Sequence, residues 1–181
     1  MGTIMIFPTV KTECSEFISD SKGIPMYKML PAHREPFIKV KARHKKAKNM
    51  PLANAFNTAF ANIYPNIFYR SIFCNTTERD STGLERYYIF PINGYKFLYC
   101  NSVKNTTEAY KSAMLGVLDI MVENEAISLL SKVLEDDYVS ENLHIALDKQ
   151  SEVIIYNIPY FYAIKCSFFT EKSDYDLIVR N

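Results

Sequence analysis
The sequence predicts an α+β fold with a mostly antiparallel sheet, a central Asn-Gly hairpin, and covering helices at about 51–63 and 106–147. Three observations predict it. Strand-like and helix-like runs fall in blocks, without the strict βαβ alternation of a parallel sheet. Residues 87–100 read YYIFPI-NG-YKFLYC, two aromatic-rich runs around Asn93-Gly94. Asn-Gly is the dipeptide that most readily gives a type I′ hairpin turn its two positive φ angles. Apolar residues recur at helical spacing across 51–63 and again from 106 onward. A chain of 181 residues is long enough for a single domain, 1–181, with its own core. With 13 Tyr, 12 Phe and no Trp, that core must be filled largely by rings.

Residues 3–8 are expected as a short strand. Residues 11–24, KTECSEFISDSKGI, are polar and turn-rich and predict a loop or mobile arm. Pro25, Pro31, Pro36 and Pro51 exclude a long helix in the next stretch. From Phe37 to Arg43 the order FIKVKAR alternates. Ile38, Val40 and Ala42 fall on one side, and Lys39, Lys41 and Arg43 on the other. That period of two predicts a strand with one apolar and one basic face. Pro51 then opens a helix with Leu52, Ala55, Phe56, Ala59, Phe60 and Ile63 on one stripe, opposite Asn54, Asn57, Thr58 and Asn62. Pro65 ends it. Residues 66–74 read as a strand and 75–86 as a polar loop. Pro91 has no N–H for a ladder bond, so its strand belongs at an edge or is locally irregular. Asn105-Thr-Thr-Glu108 resembles a capping box, and the helix it opens carries Ala109, Tyr110, Ala113, Met114, Val117 and Met121. Asn124 is placed to cap a second helix through Ile127, Leu130, Val133 and Leu134. Ser140 is placed to cap a short third one to Leu147. Strands return at 152–157 and 160–169, and the polar residues 172–181 predict a tail.

Charge is unevenly spread. Residues 33–48, HREPFIKVKARHKKAK, hold seven of the 21 Lys and Arg and one acid, Glu35, for a net charge of +6. The other 165 residues therefore sum to −5. Arg34, Lys39, Lys41, Arg43, Lys45, Lys46 and Lys48 are the candidate partner-binding residues, and the partner they imply is acidic. It is a protein surface first and nucleic acid second, because a sequence pI near 7.6 does not suit a dedicated nucleic-acid binder. Tyr27 or Phe37 could stack on a base in the second case. A solvated edge strand guarded by lysines is the structural alternative. Residues 119–152 form an opposite pole of −7, with nine acids against Lys132 and Lys149. Basic and acidic segments could meet within one molecule or between copies in a homo-oligomer.

Several chemistries find no support. GxSxG, the P-loop and GxGxxG are all missing, and His33, His44 and His144 lack metal-ligand spacing, so no metal site is predicted. Cys14, Cys74, Cys100 and Cys166 form no CxxC pair and read as reduced, inert thiols, although a Cys100–His144 pair is open. The start lacks the basic flank and cleavage site of a signal peptide, and no apolar run reaches about 20 residues, which predicts a cytoplasmic protein without membrane attachment. The two NxT sequons, at Asn75 and Asn105, then carry no glycosylation meaning.

Three short motifs bear on an enzyme. Tyr69-Arg70, then Asn101-Ser102 before the helix at 106, then Gln150-Ser151-Glu152 before VIIYN follow one another along the chain. This order resembles the mono-ADP-ribosyltransferases, without their Ser-Thr-Ser element. The resemblance implies NAD as substrate, with Arg70 on the pyrophosphate, Ser102 orienting the nicotinamide half and Glu152 stabilising the oxocarbenium-like centre.

Richness in Asn, Lys, Ile, Tyr and Phe without Trp, and the stretches REPFIKVKARHKKAK and YYIFPINGYKFLYCNSVKN, resemble accessory proteins of T-even-type tailed phages. The resemblance implies a viral protein acting in the host cytoplasm or the virion, and implies no activity. The leading expectation is a non-enzymatic interaction protein, with no cofactor, that docks its basic face on a host protein, a defence protein or a virion component. The alternatives are an NAD-using transferase and sequence-independent nucleic-acid binding.

Overall fold
The computed structural model describes residues 3–43, 53–75, 82–115, 123–169 and 171–180. The elements run α1 (Thr3–Glu13), α2 (Ser15–Ser21), β1 (Tyr27–Pro31), β2 (Phe37–Lys41), α3 (Ala53–Ile63), β3 (Ile72–Cys74), β4 (Leu84–Pro91), β5 (Lys96–Cys100), α4 (Thr106–Leu115), α5 (Glu123–Asp137), β6 (Tyr138–Val139), α6 (Leu143–Asp148), β7 (Val153–Tyr156), β8 (Tyr160–Lys165) and α7 (Lys172–Val179). The class is α+β and every strand pairing is antiparallel, as expected. The strands, however, form two sheets, in the orders β1-β4-β8-β2 and β3-β7-β5-β6.

Alternation along the strands shows how the layers stack. In β7, Val153 and Ile155 join one buried cluster while Ile154 and Tyr156 join another. The second sheet is therefore covered on both faces, which explains why VIIY is continuously apolar. One face meets α3 and α5 through Phe56, Phe60, Leu130 and Leu134, all 1% exposed or less. Phe60 is the hub of that layer. Its ring lies 5.6 Å from Phe56, 5.7 Å from Phe68 and 4.9 Å from Tyr138, the last edge-on. On β4, Tyr88 and Phe90 turn the other way, onto Phe17 of α2 and Tyr175 of α7.

The predicted stripe of α3 is present from Ala55 to Phe60, with Asn54, Thr58 and Asn62 exposed. Leu52, Val117 and Met121 lie outside the described residues, as do 76–81 of the predicted 75–86 loop, and 84–86 of that loop belong to β4. The cap at α4 forms with a shift of one residue. Asn105 Oδ1 accepts from the Glu108 N–H, while Glu108 accepts from Lys104 N–H rather than Asn105 N–H.

Four expectations are corrected. First, residues 3–8 are helix, not strand, and 11–24 are not a mobile arm. Phe7, Val10, Cys14, Phe17 and Ser21 fall at helical spacing, and the last four are fully buried. The Cys14 N–H donates to the Val10 carbonyl and the Ile18 N–H to the Cys14 carbonyl, carrying the ladder across the α1–α2 junction. Second, residues 172–181 are not a tail. Glu171 and Asp174 make a capping box for α7, and Tyr175, Ile178 and Val179 pack on the first sheet's outer side. Third, the strand read over 66–74 is limited to β3, because 64–70 is a series of turns with positive φ at Asn66 and Arg70.

Fourth, Asn93-Gly94 does not close a hairpin. β4 pairs with β1 and β8, whereas β5 pairs with β6 and β7. Gly94 has φ +83° but Asn93 is not among the positive-φ residues, so the turn is not type I′ and lacks the twist that pairs its flanking strands. The turn docks on the α1–α2 junction instead. The Asn93 N–H donates to the Glu13 carbonyl at 2.7 Å, Asn93 Nδ2 to the Thr12 carbonyl, and Asn93 Oδ1 accepts from the Glu16 N–H.

Candidate functional site
Strand β2 occupies the edge of the first sheet, paired only with β8 among the described residues. The register sets Lys39 opposite Tyr162 and Lys41 opposite Tyr160, while Ile38 and Val40 oppose Ala163 and Phe161 on the other face. The predicted two-faced strand is therefore present. Lys39, Lys41, Arg43 and Arg34 are exposed. Lys45, Lys46 and Lys48 lie outside the described residues.

The cations are not equivalent. Lys39 Nζ sits 3.6 Å from the centre of the Tyr160 ring. The hydroxyls of Tyr162 and Tyr160 both donate to Glu13 Oε2, at 2.7 and 3.0 Å. The Tyr162 bond is the main force holding the Glu13 carboxyl below its ordinary value. Desolvation opposes it, and the Tyr160 bond and the Lys39 charge assist. Lys39 is thus tied to the fold through its rings. Lys41 and Arg43 are the more available charges. Among the described residues no ion pair joins 33–48 to the acidic 119–152.

The apolar face of β2 walls a cleft of about 270 Å³. Ile38 and Val40 stand on one side, with Phe161 of β8 beside them. Lys28 and Leu30 of β1 and Ser71 and Ile72 at β3 complete it, and His33, Lys41 and Arg43 lie at its exposed margin. An isolated bridge brings Ser71 and Arg43 together, with the Ser71 N–H donating to the Arg43 carbonyl at 3.1 Å. Lys28 is only 8% exposed, and its Nζ donates to the Phe73 carbonyl at 2.7 Å. Ser71 is 2% exposed, and its Oγ finds no hydrogen-bond partner among the described residues. An orphan buried hydroxyl costs about 1–3 kcal/mol. Among the described residues the lining carries Lys28, Lys41 and Arg43 but no Asp or Glu. The acid nearest in register, Glu85 opposite Leu30, is paired to Lys165 Nζ at 2.8 Å. Lys28 and Ser71 escape sequence reading because neither stands in a motif or a charge run. Only the approach of β1 and β3 joins them.

The three transferase candidates do not assemble. The Ile158 N–H donates to the Arg70 carbonyl, which places Arg70 beyond the C-terminal end of β7. Glu152 precedes the N-terminal end, so the length of the strand, roughly 15–20 Å, separates them. Arg70 is exposed with its guanidinium over Tyr69. Glu152 is occupied as a cap, accepting the Thr106 N–H at 2.9 Å. Ser102 is exposed near Cys100 Sγ. Nothing brings an Arg and a Glu to one nucleotide. The Cys100–His144 pair also fails, since His144 Nε2 faces Lys22 Nζ at 3.3 Å. Burial pushes the Cys14 and Cys166 thiols up to about 12, which makes both poor nucleophiles at neutral pH. Among the described residues no cluster of His, Cys, Asp and Glu could hold a metal, and no helix is long and apolar enough to cross a membrane.

No family model matches the chain, and no curated protein or solved structure does either.

Proposed function
We propose that the protein is a non-enzymatic interaction protein whose basic β2 edge docks on an acidic macromolecular partner. The observation that carries this reading is the coincidence of an open strand edge with exposed Arg34, Lys41 and Arg43. An extended acidic segment could add to β2 as a further strand, with backbone hydrogen bonds giving affinity and the cations selecting the partner's charge. The composition and the two phage-like stretches support a viral accessory protein with a host or virion partner in the host cytoplasm. The acidic side chains of α5, which form no ion pair with 33–43 among the described residues, support association between copies as a further route.

The test is anisotropy titration of a labelled oligoglutamate peptide. Lys41→Glu combined with Arg43→Glu should weaken binding more than tenfold, while Lys132→Glu on exposed α5 should not. Equal effects of both would refute a β2-centred site. Tighter binding of single-stranded DNA than of the peptide, with a steep salt dependence, would move the reading to nucleic acid.

A further inference from the structure
The open edge of β2 carries more than charge, and its register limits what can add to it. We propose that the partner segment is an extended peptide in which acidic and apolar residues alternate, the acids over Lys39 and Lys41 and the apolar side chains in the cleft beside Ile38 and Val40. This rests on the reading of β2 as a docking edge and adds the class of sequence that the edge selects.

The backbone sets where the segment can pair. The Lys165 N–H donates to the Pro36 carbonyl and the Ala42 N–H to the Pro159 carbonyl. Between them the β2–β8 register is unbroken. Backbone direction alternates along an antiparallel strand, so Ile38 and Val40 also bond towards β8, whereas Phe37, Lys39 and Lys41 turn their N–H and carbonyl groups outward. Arg43 turns the same way, and its carbonyl is taken by the Ser71 N–H at 3.1 Å. Among the described residues the stretch open to a further strand is therefore Phe37–Lys41.

The side chains set what the segment must carry. A residue in an added strand shares a face with the β2 residue directly opposite it. Opposite Lys39 and Lys41, both exposed, an acid meets a cation. Opposite Ile38 and Val40 the side chain enters the cleft of about 270 Å³, against Leu30, Ile72 and Phe161. The Lys28 ammonium in that lining is already engaged, donating to the Phe73 carbonyl at 2.7 Å. A carboxylate entering there would lose its water against apolar walls, whereas burial of one Val-sized side chain is worth about tenfold in affinity. A slip by one residue would send every acid into the cleft, so the alternation also fixes the register.

The test is anisotropy titration of the full chain with labelled peptides of equal length. An alternating Glu-Val peptide should bind at least tenfold more tightly than a peptide of the same composition with Glu and Val in separate blocks, and more tightly than oligoglutamate. Of two N-methylated forms, one methylated at every Glu and one at every Val, at least one should lose binding at least tenfold, because one set of amides must face β2. Lys41→Glu, at an exposed side chain, should weaken the Glu-Val peptide and favour an alternating Lys-Val peptide. Equal affinity for the alternating and blocked peptides, full binding by both methylated forms, or an unchanged preference in Lys41→Glu would each overturn the proposal. If oligoglutamate still binds in that case, the basic edge stands as a docking face without an ordered strand. If neither oligoglutamate nor the alternating peptide saturates up to about 10 mM, well above a Kd of about 1 mM, both readings fall.

Discussion

Removing a hydroxyl from Ser71 should make this protein more stable. The side chain is 2% exposed and its Oγ has no hydrogen-bond partner among the described residues. The folded state therefore carries a desolvation penalty of about 1–3 kcal/mol that the unfolded chain, hydrated at Ser71, does not. Ser71→Ala removes the penalty. It also leaves a void of one atom, ~15 Å³, which at about 24 cal/mol per Å³ costs about 0.4 kcal/mol. The net is a stabilisation of about 0.6–2.6 kcal/mol, or a rise in Tm of roughly 1–10 °C for a chain of this size. Urea denaturation followed by circular dichroism reads this as a higher midpoint at unchanged slope. A midpoint that falls by the equivalent of about 1 kcal/mol would show that the hydroxyl is satisfied in the folded protein and would refute the reasoning.

Three further outcomes check other parts of the structure. The Glu13 carboxyl is held below its ordinary value of 4.5, so its contribution to stability is complete above that pH and is lost as pH falls through the lower, folded value; an NMR titration placing Glu13 at or above 4.5, or a Glu13→Gln variant with an unaltered acid limb, would contradict the Tyr160–Tyr162 clamp. Phe60→Ala should cost about 3–5 kcal/mol in chemical denaturation, because Phe60 is fully buried against the rings of Phe56, Tyr64, Phe68 and Tyr138; a loss under about 1 kcal/mol would show that the α3–sheet layer is not packed as described. Tyr175→Ala should cost about as much, while Leu177→Ala on the same helix, at a residue 63% exposed, should change stability by less than about 0.5 kcal/mol; equal effects would return 172–181 to a tail.

What could be read in the sequence follows from how local each signal is. The two faces of β2 and the stripe of α3 depend only on period, and both are present. The N-terminal helices are equally periodic, but Cys14 and Ser21 are buried without reading as apolar, and Pro8 lies within the run. The polar character of KTECSEFISDSKGI hid a stripe that size and spacing alone would satisfy. In α7 only Tyr175, Ile178 and Val179 are buried among the described side chains, and a cap built from two acids, Glu171 and Asp174, lacks the Ser/Thr signature that marks a helix start. The basic half of the candidate site was visible because charge is a property of composition. Its cleft was not, because β1, β2 and β3 converge only through tertiary packing and the Ser71–Arg43 bridge.

The Asn93-Gly94 turn shows where a strong local signal stops deciding structure. The dipeptide permits a type I′ hairpin, and both flanking runs are good strands. The choice of partner rests on what else can satisfy the same backbone. Asn93 gives its N–H and Nδ2 to carbonyls at the end of α1 and its Oδ1 to an amide at the start of α2, while Gly94 donates to Glu16 Oε2 at 2.7 Å. One turn therefore caps two helix ends that would otherwise leave groups unsatisfied. A hairpin would satisfy its own ladder but abandon those caps. It would also leave β4 and β5 in one sheet, with β8 and β7 competing for the same edges. Splitting the strands gives each a partner on both sides and creates the gap between sheets into which Phe161, Ile72 and Lys28 project. The cleft beside β2 is thus a consequence of the turn that failed to make a hairpin.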